Sequence, residues 1–230
     1  MDVILVPGLW LDASSWDDIL PALKAAGHTP HPLTMPGVGA PASQSADIGI
    51  ADWVDAVVAR IDALAPPVVL VGHSGGGNVV WSAADARPDR VARVIFVDTI
   101  PPYPGSQISE FPIADGVVPF PGWDFFDDGD VHDLDAETRE RTVGLTTSVP
   151  ARVPTDGIVL GDVRRHGIPV TLLMGGMDEP AFRSAVAHWG AHGEEFSSIE
   201  DAEVVRLGSA HWPQFTKPAV LADAIIRAVR

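Results

Sequence analysis

Cysteine is absent from the 230-residue sequence. Its absence excludes disulfides, thiolate metal sites and cysteine nucleophiles. Long apolar runs are absent as well. The first run, residues 3–6, stops at Pro7 and Gly8 and has no basic flank, so it is too short for the apolar part of a signal peptide. No other stretch approaches the roughly 18 apolar residues of a membrane-spanning helix. We therefore expect a cytoplasmic, soluble protein.

Positive charge is scarce. The sequence has 15 basic and 31 acidic residues, which gives a formal net charge of −16. A field of that sign repels phosphate backbones and anionic lipid surfaces, so we expect neither nucleic acid nor a membrane as a partner. The composition, 46% hydrophobic and 20% charged, is typical of a folded globular protein. The expected partner is a small-molecule substrate, a homodimer is left open, and no metal site is predicted.

Short apolar runs alternate with longer amphipathic ones along the chain. The runs typical of buried strands are residues 3–6, 68–71, 91–97, 168–174 and 203–207, with a weaker one at 28–33. Helical spacing of apolar residues is clearest over 50–64, and helices are also predicted over about 75–86 and 218–229. Strands that alternate with helices imply a parallel sheet covered on both faces. We predict one α/β domain over residues 1–230.

One segment interrupts this alternation. From about residue 99 to 165 the chain is rich in Pro, Gly, Asp and aromatic residues. A long insertion of this kind in a compact domain is usually disordered or functional. Its aromatic content favours an ordered cap, and we expect its side chains to form an apolar substrate pocket with residues of two other loops. The predicted pocket residues are Trp10, Phe120, Trp123, Phe125 and Trp212.

The pentapeptide at residues 72–76 carries the sharpest chemical signal. Its sequence, GHSGG, matches the G-x-S-x-G pattern and lies between a predicted strand and a predicted helix. A sharp strand-to-helix turn forces the central serine into a strained conformation, and only residues without side chains fit two positions before and after it. The pattern therefore predicts Ser74 as a nucleophile. The alternative is a glycine-rich turn that binds a phosphate or nothing.

A serine hydroxyl needs a base to take its proton. His211 follows the predicted strand 203–207 through a short loop and precedes the last helix, which places it at the same carboxyl edge of the sheet as Ser74. We predict His211 as the base rather than a surface histidine. His73 adjoins the serine, but its side chain points away on such a turn, so we expect it to be a packed core residue.

The base in turn needs an acceptor for its second ring nitrogen. Two aspartates at the carboxyl edge compete: Asp178, in the glycine-rich turn after residues 168–174, and Asp98, at the end of residues 91–97. We favour Asp178 and keep Asp98 as the alternative. Either carboxylate can instead cap a helix.

The reaction also needs donors for the developing oxyanion. The Gly75 amide at the start of a helix is one candidate. The loop after the first strand is the other source, because Gly8 lets the backbone come close and the Leu9 amide would then point into the site.

Three segments together resemble the α/β-hydrolase superfamily, and within it the plant methylesterase and hydroxynitrile lyase branch with its small bacterial relatives: VPGLW at 6–10, GHSGG at 72–76 and AHWPQFTKP at 210–218. The resemblance implies a six-stranded, mostly parallel sheet, a small cap and no cofactor. It carries over Ser74 as nucleophile, His211 as base, and the Leu9 and Gly75 amides as oxyanion donors, and Asp178 sits where the branch usually keeps its acid. The superfamily also has members whose acid follows the preceding strand, which is the position of Asp98.

Two positions depart from the branch. The lyases carry a lysine directly after the catalytic histidine, where this chain has Trp212, and this difference disfavours lyase activity. Pro7 replaces the usual histidine before the oxyanion-loop glycine. We therefore expect a serine hydrolase that cleaves an ester or lactone of a fairly apolar small molecule through an acyl-serine. The alternatives are a C–C or C–N bond hydrolase, or a binding protein without catalytic activity on the same fold.

Overall fold

A computed structural model describes residues 1–229. Its main sheet has six parallel strands in the order β2-β1-β3-β4-β7-β8. The strands of this sheet are β1 (Asp2–Val6), β2 (Thr29–Pro32), β3 (Val68–His73), β4 (Val91–Val97), β7 (Val170–Met174) and β8 (Ala202–Arg206). Two short strands outside it, β5 (Val117–Val118) and β6 (Val149–Pro150), form an antiparallel pair.

Ten α-helices connect and cover these strands within the described residues. They are α1 (Leu20–Ala25), α2 (Ala42–Ser45), α3 (Ile50–Asp62), α4 (Gly76–Ala86), α5 (Asp128–Val131), α6 (Ala136–Val143), α7 (Glu179–Val186), α8 (Ala191–Ser197), α9 (Pro213–Thr216) and α10 (Pro218–Ala228). The predicted α/β class, with a parallel sheet and helices on both faces, is confirmed. None of the helices in residues 1–229 combines the length and the apolarity needed to cross a bilayer.

Alternating side chains of the central strands feed two separate cores. Ile4 and Leu70 point into the core that also contains Trp53 of α3 and Trp81 of α4. Their neighbours along the strands, such as Leu5, enter the opposite core with residues of α1 and α10. Because successive side chains of a strand point to opposite faces, continuous apolar runs are what a sheet buried on both faces requires.

The cap segment, residues 99–165, lies between β4 and β7 and contains β5, β6, α5 and α6. Part of it packs in the first core, through residues such as Val118 and Val149. Another part forms a third apolar cluster, in which Trp123, Val131 and Leu134 of the cap pack against Trp212 and Phe215. Trp212 is the last residue of the loop between β8 and α9, and Phe215 lies in α9. The cap is therefore packed onto the segment that carries His211.

Candidate active site

The turn from β3 into α4 holds Ser74 in a left-handed conformation, with φ of +51°. Its amide donates to the carbonyl oxygen of Val97 on the adjacent strand β4, at 3.1 Å. A Cβ atom at Gly72 would lie 2.6 Å from the Gly76 carbonyl oxygen, and one at Gly76 would lie 2.5 Å from the carbonyl oxygen of Pro7. The two glycines of the G-x-S-x-G pattern are therefore required by the close backbone approach on both sides of the serine.

Backbone strain is concentrated at this edge of the sheet. Among residues 1–229, four non-glycine residues have a positive φ, and three of them, Trp10, Ser74 and Asp98, follow strands β1, β3 and β4. Such conformations cost of order 1–3 kcal/mol each and tend to cluster where a site needs side chains in fixed directions. The carboxyl ends of three neighbouring strands thus carry the strain together.

His211 lies in the loop between β8 and α9, and its Nδ1 is 2.7 Å from Oδ2 of Asp98. The other carboxylate oxygen of Asp98 accepts a hydrogen bond from the Gly175 amide at 2.8 Å. Both the imidazole and the carboxylate are only about one-fifth exposed, at 20% and 19%. Burial opposes ionisation of Asp98, but the hydrogen bond and charge of His211 and the bond from the Gly175 amide outweigh it, so the pKa of Asp98 is lowered.

The prediction that Asp178 rather than Asp98 lies beside His211 is wrong. Asp178 lies exposed beyond β7 and caps α7, where its side chain accepts from the Ala181 amide at 3.0 Å. The structure brings His211 to Asp98, which the sequence offered as the alternative. The glycine-rich turn that argued for Asp178 supplies a backbone donor, the Gly175 amide, to Asp98.

His73 is buried, with 1% of its surface exposed, as predicted for the residue before the serine. Its Nε2 donates to the carbonyl oxygen of His211 at 2.8 Å, and its Nδ1 accepts from Nε2 of the Gln214 side chain at 3.2 Å. Burial, reinforced by the charge of His211, lowers the pKa of His73 to about 3. The neutral ring therefore acts as a fixed donor that holds the backbone of the His211 loop.

The predicted oxyanion donors lie around the same turn. A Cβ atom on Gly8 would come within 3.0 Å of Cβ of Ser74, and one on Gly75 would lie 3.3 Å from the Leu9 side chain. The first amides of a helix have no partner within it, and Gly75 is the residue that precedes α4. Gly8, which precedes Leu9, and Gly75 thus lie close to Ser74.

A cavity of about 250 Å³ opens over Ser74 and His211. The residues lining it are mostly apolar or aromatic: Gly8, Leu9, Trp10, His73, Ser74, Ile108, Ser109, Phe111, Phe125, Phe126, Asp130, His211 and Trp212. Seven of these residues lie at the carboxyl ends of the strands or in the loops that follow, and the other six, from Ile108 to Asp130, belong to the cap segment.

Three of the five predicted pocket residues, Trp10, Phe125 and Trp212, line this cavity. The other two lie behind it. Phe120 packs edge-on against Trp10, with ring centroids 5.8 Å apart, and Trp123 packs against Trp212 at 5.0 Å. The prediction that Phe120 and Trp123 line the pocket is therefore wrong: they support its wall. The sequence does not single out Ile108, Phe111 and Phe126 as pocket residues, because their sequence positions alone do not show which apolar side chains of the cap face inward.

No group of three or more His, Asp or Glu side chains in residues 1–229 is arranged to hold a metal ion. The chemistry available from the described side chains at this site is that of a hydroxyl, an imidazole and a carboxylate.

A family model described as "Alpha/beta hydrolase family" matches residues 3–224. Among curated proteins, Esterase PIR7B of Oryza sativa subsp. japonica is 38% identical over 109 residues, which cover 46% of this chain and 41% of the rice protein. The match thus spans about two-fifths of the length of that relative.

Solved structures match over the whole chain. An extracellular alpha/beta-hydrolase from Paenibacillus species superposes with a TM-score of 0.78 at 20% identity, covering 99% of this chain and 98% of that one. The methylesterase MES16 from Arabidopsis gives a TM-score of 0.77 at 20% identity, covering 100% of this chain and 98% of that one. At this identity the likeness shows a shared fold.

Proposed function

Because the chain belongs to the alpha/beta hydrolase family, we propose that it is a serine hydrolase that cleaves a carboxylic ester or lactone of a small, fairly apolar molecule. The observation that carries the proposal is the 2.7 Å contact between His211 Nδ1 and Asp98 Oδ2 beside the strained Ser74. Ser74 and His211 line the same cavity. The combination of a serine, an imidazole and a carboxylate is what nucleophilic acyl transfer needs.

In the proposed reaction, Asp98 fixes the tautomer of His211 by accepting a hydrogen bond from its Nδ1–H, which leaves Nε2 as the base. His211 takes the proton of Ser74 as Oγ forms a bond to the carbonyl carbon. The tetrahedral intermediate collapses with loss of the alcohol, which receives that proton from His211. In the second half-reaction His211 takes a proton from water as the water oxygen bonds to the acyl carbon. The bond from that carbon to Ser74 Oγ then breaks, the acid leaves, and His211 returns the proton to Oγ.

The negative oxygen of the tetrahedral intermediate needs donors that are already in place. We assign this role to the amides of Leu9, which follows Gly8 in the loop against Ser74, and of Gly75, which follows Ser74 directly. One donor of this type is typically worth about 3–4 kcal/mol in the transition state. Removing water from the cavity with aromatic walls strengthens these contacts further.

The proposed substrate class follows from the cavity. Its volume is about 250 Å³ and its walls are largely apolar, so a small uncharged acyl or alcohol group fits it better than a charged one. The name of the rice relative, an esterase, supports ester cleavage as the first activity to test.

A fluorophosphonate probe tests the nucleophile. We expect covalent labelling of Ser74 that is lost in Ser74→Ala and His211→Ala. The matched control is Ser109→Ala, which removes the second serine hydroxyl lining the cavity and should leave the adduct on Ser74. A folded protein that is not labelled would favour a binding protein without catalytic activity.

A panel of p-nitrophenyl esters and lactones of graded chain length then tests the substrate class. We expect turnover to be highest for short, neutral acyl groups and to fall as the chain outgrows the cavity. Labelling of Ser74 without turnover of any ester or lactone in the panel would turn attention to C–C or C–N bond hydrolysis.

A further inference from the structure

The loop that carries His211 is held on two sides by different parts of the molecule. On the side of the sheet, the buried ring of His73 donates to the carbonyl oxygen of His211 at 2.8 Å. On the other side, two consecutive amides of the loop donate to the cap segment. The Ala210 amide donates to Oδ2 of Asp133 at 2.9 Å, and the His211 amide donates to the carbonyl oxygen of Asp130 at 3.1 Å.

Asp133 accepts through its side chain, so a substitution at this position can remove the acceptor. It lies just after α5, between Val131 and Leu134, which pack in the apolar cluster with Trp212 and Phe215. Packing on either side of Asp133 therefore fixes where its carboxylate can reach. The second carboxylate oxygen, Oδ1, is buried and has no hydrogen-bond partner among the described residues. The bond to the Ala210 amide is thus the contact that this side chain makes with the loop.

We propose that Asp133 is a positioning residue for His211, and that through it the cap segment sets the place of the catalytic base. The proposal rests on the function proposed above. In this arrangement the Asp133 carboxylate and the Asp130 carbonyl group connect the cap to the position of His211, because a displacement of these two groups moves the acceptors of the Ala210 and His211 amides.

The physical reason is that proton transfer from Ser74 to His211 depends steeply on the distance between the hydroxyl and the imidazole. The base must lie within hydrogen-bond reach of the hydroxyl, and a misplacement of about 1 Å can cost of order 100-fold in rate. Asp98 fixes one end of the imidazole, but the position of the His211 backbone determines how far the ring can reach towards Ser74. Asp133 acts on that backbone as an acceptor, so an uncharged acceptor of the same shape should serve.

The experiment compares Asp133→Ala, which removes the acceptor, with Asp133→Asn, which keeps an acceptor oxygen and removes the charge. The control is Asp128→Ala, an exposed aspartate of α5. With p-nitrophenyl acetate as substrate, we expect kcat of Asp133→Ala to fall about 10- to 100-fold with KM within about twofold of wild type. Asp133→Asn should retain most of kcat, and Asp128→Ala should match wild type.

Two results would overturn the proposal. Wild-type kcat in a folded Asp133→Ala would show that the acceptor is not needed. An equal loss in Asp133→Asn and Asp133→Ala, with a shifted pH profile of kcat/KM, would show that the charge matters and not the position of the loop.

Hydrogen exchange of the wild-type protein, followed by NMR, tests the two hydrogen bonds on which the proposal depends without a variant or an activity. We expect the amides of Ala210 and His211 to exchange slowly, and exchange as fast as in an unprotected loop would contradict the proposal even if Asp133→Ala fails to fold. The proposed function fails separately, when the wild-type protein neither turns over esters nor reacts with the fluorophosphonate. Slow exchange at both amides would then still support the part of the inference that concerns the loop.

Discussion

The turns after β4 and β7 each bring an aspartate to the carboxyl edge of the sheet, but the two carboxylates do different things. Asp98 is the first residue after β4, has φ of +46°, and reaches His211. Asp178 is four residues beyond Met174, the end of β7, and caps α7 in an exposed position. The distance of an aspartate from the strand end therefore decides its role more than a glycine-rich turn does. A residue directly after the strand stays at the sheet edge, whereas one several residues later starts the next helix.

The glycines of the β7 turn have a part in the site that differs from the one predicted. A Cβ atom on Gly175 would lie 2.6 Å from the Ser209 carbonyl oxygen and 3.0 Å from Oδ1 of Asp98. Gly175 therefore gives space to the His211 loop and donates its amide to the carboxylate of the other turn. The turn supports the acid without supplying it.

The largest expected effect separates the two aspartates directly. Asp98→Asn should lower kcat/KM by about 1,000- to 10,000-fold, because an amide at this position favours the wrong tautomer of the imidazole. Asp178→Asn, the matched substitution in the other turn, should leave kcat/KM within about twofold. Ester turnover by both purified variants checks this, with circular dichroism to establish that each is folded. The reverse pattern would restore Asp178 as the acid.

The second prediction uses pH, because the turn after β4 lies beside two imidazoles. The pKa of His73 is about 3 in the folded protein and about 6.5 in an unfolded chain. Between these values the unfolded chain binds a proton that the folded protein does not. The contribution of the neutral, buried His73 to the free energy of unfolding is therefore fully present above about pH 6.5. It is lost as the pH falls towards 3, by up to about 1.4 kcal/mol per pH unit.

Denaturant unfolding at pH values from 7 to 4 measures this loss of unfolding free energy. The variant His73→Gln keeps a donor and an acceptor but does not titrate, so its stability should depend less steeply on pH than that of the wild type. His132→Gln, at an exposed histidine of the cap, is the control. Asp98 acts in the same direction at lower pH: its lowered pKa means that its contribution is lost as the pH falls through that value. Parallel curves for wild type and His73→Gln would contradict the assignment to His73.

A third prediction concerns Gly175 and Gly176, the two glycines in the turn between β7 and Asp178. Gly175→Ala should lower kcat by about 10- to 100-fold and the free energy of unfolding by about 1–3 kcal/mol, because its methyl group collides with backbone and with Asp98. A Cβ atom on Gly176 meets no atom within 4 Å, so Gly176→Ala is the control and should be close to wild type. Equal effects of the two substitutions would show that the β7 turn does not support Asp98.

Strongly periodic parts of the chain could be predicted from the sequence, and short polar parts could not. The predicted strand over residues 91–97 is β4, and the helix predicted over 50–64 is α3, Ile50–Asp62. The short helices α5, α6, α7 and α8 were not predicted. Each has only four to eight residues, and helices of that length depend on tertiary packing for their stability rather than on a sequence pattern.

The same division runs through the candidate site. The surroundings of Ser74 are specified within the pentapeptide at 72–76, because the steric demand acts on residues two positions away. The pairing of His211 with Asp98 joins residues 113 positions apart and depends on a positive φ that the sequence does not show. Which cap rings face the cavity depends likewise on packing between distant segments, as Phe120 and Trp123 behind the wall demonstrate.

The smallest expected effect is at Asp178 itself, and it is an effect on stability rather than on turnover. The side chain accepts from the Ala181 amide at the start of α7, at 3.0 Å. Loss of such a cap in Asp178→Ala should lower the free energy of unfolding by about 1 kcal/mol, whereas asparagine caps almost as well as aspartate and should cost much less. Urea unfolding of the two variants measures the difference, and kcat should stay within about twofold of wild type in both. A loss of turnover in Asp178→Ala without a loss of stability would mean that this carboxylate acts on the reaction from its exposed position, because a pure helix cap affects α7 and nothing at the cavity.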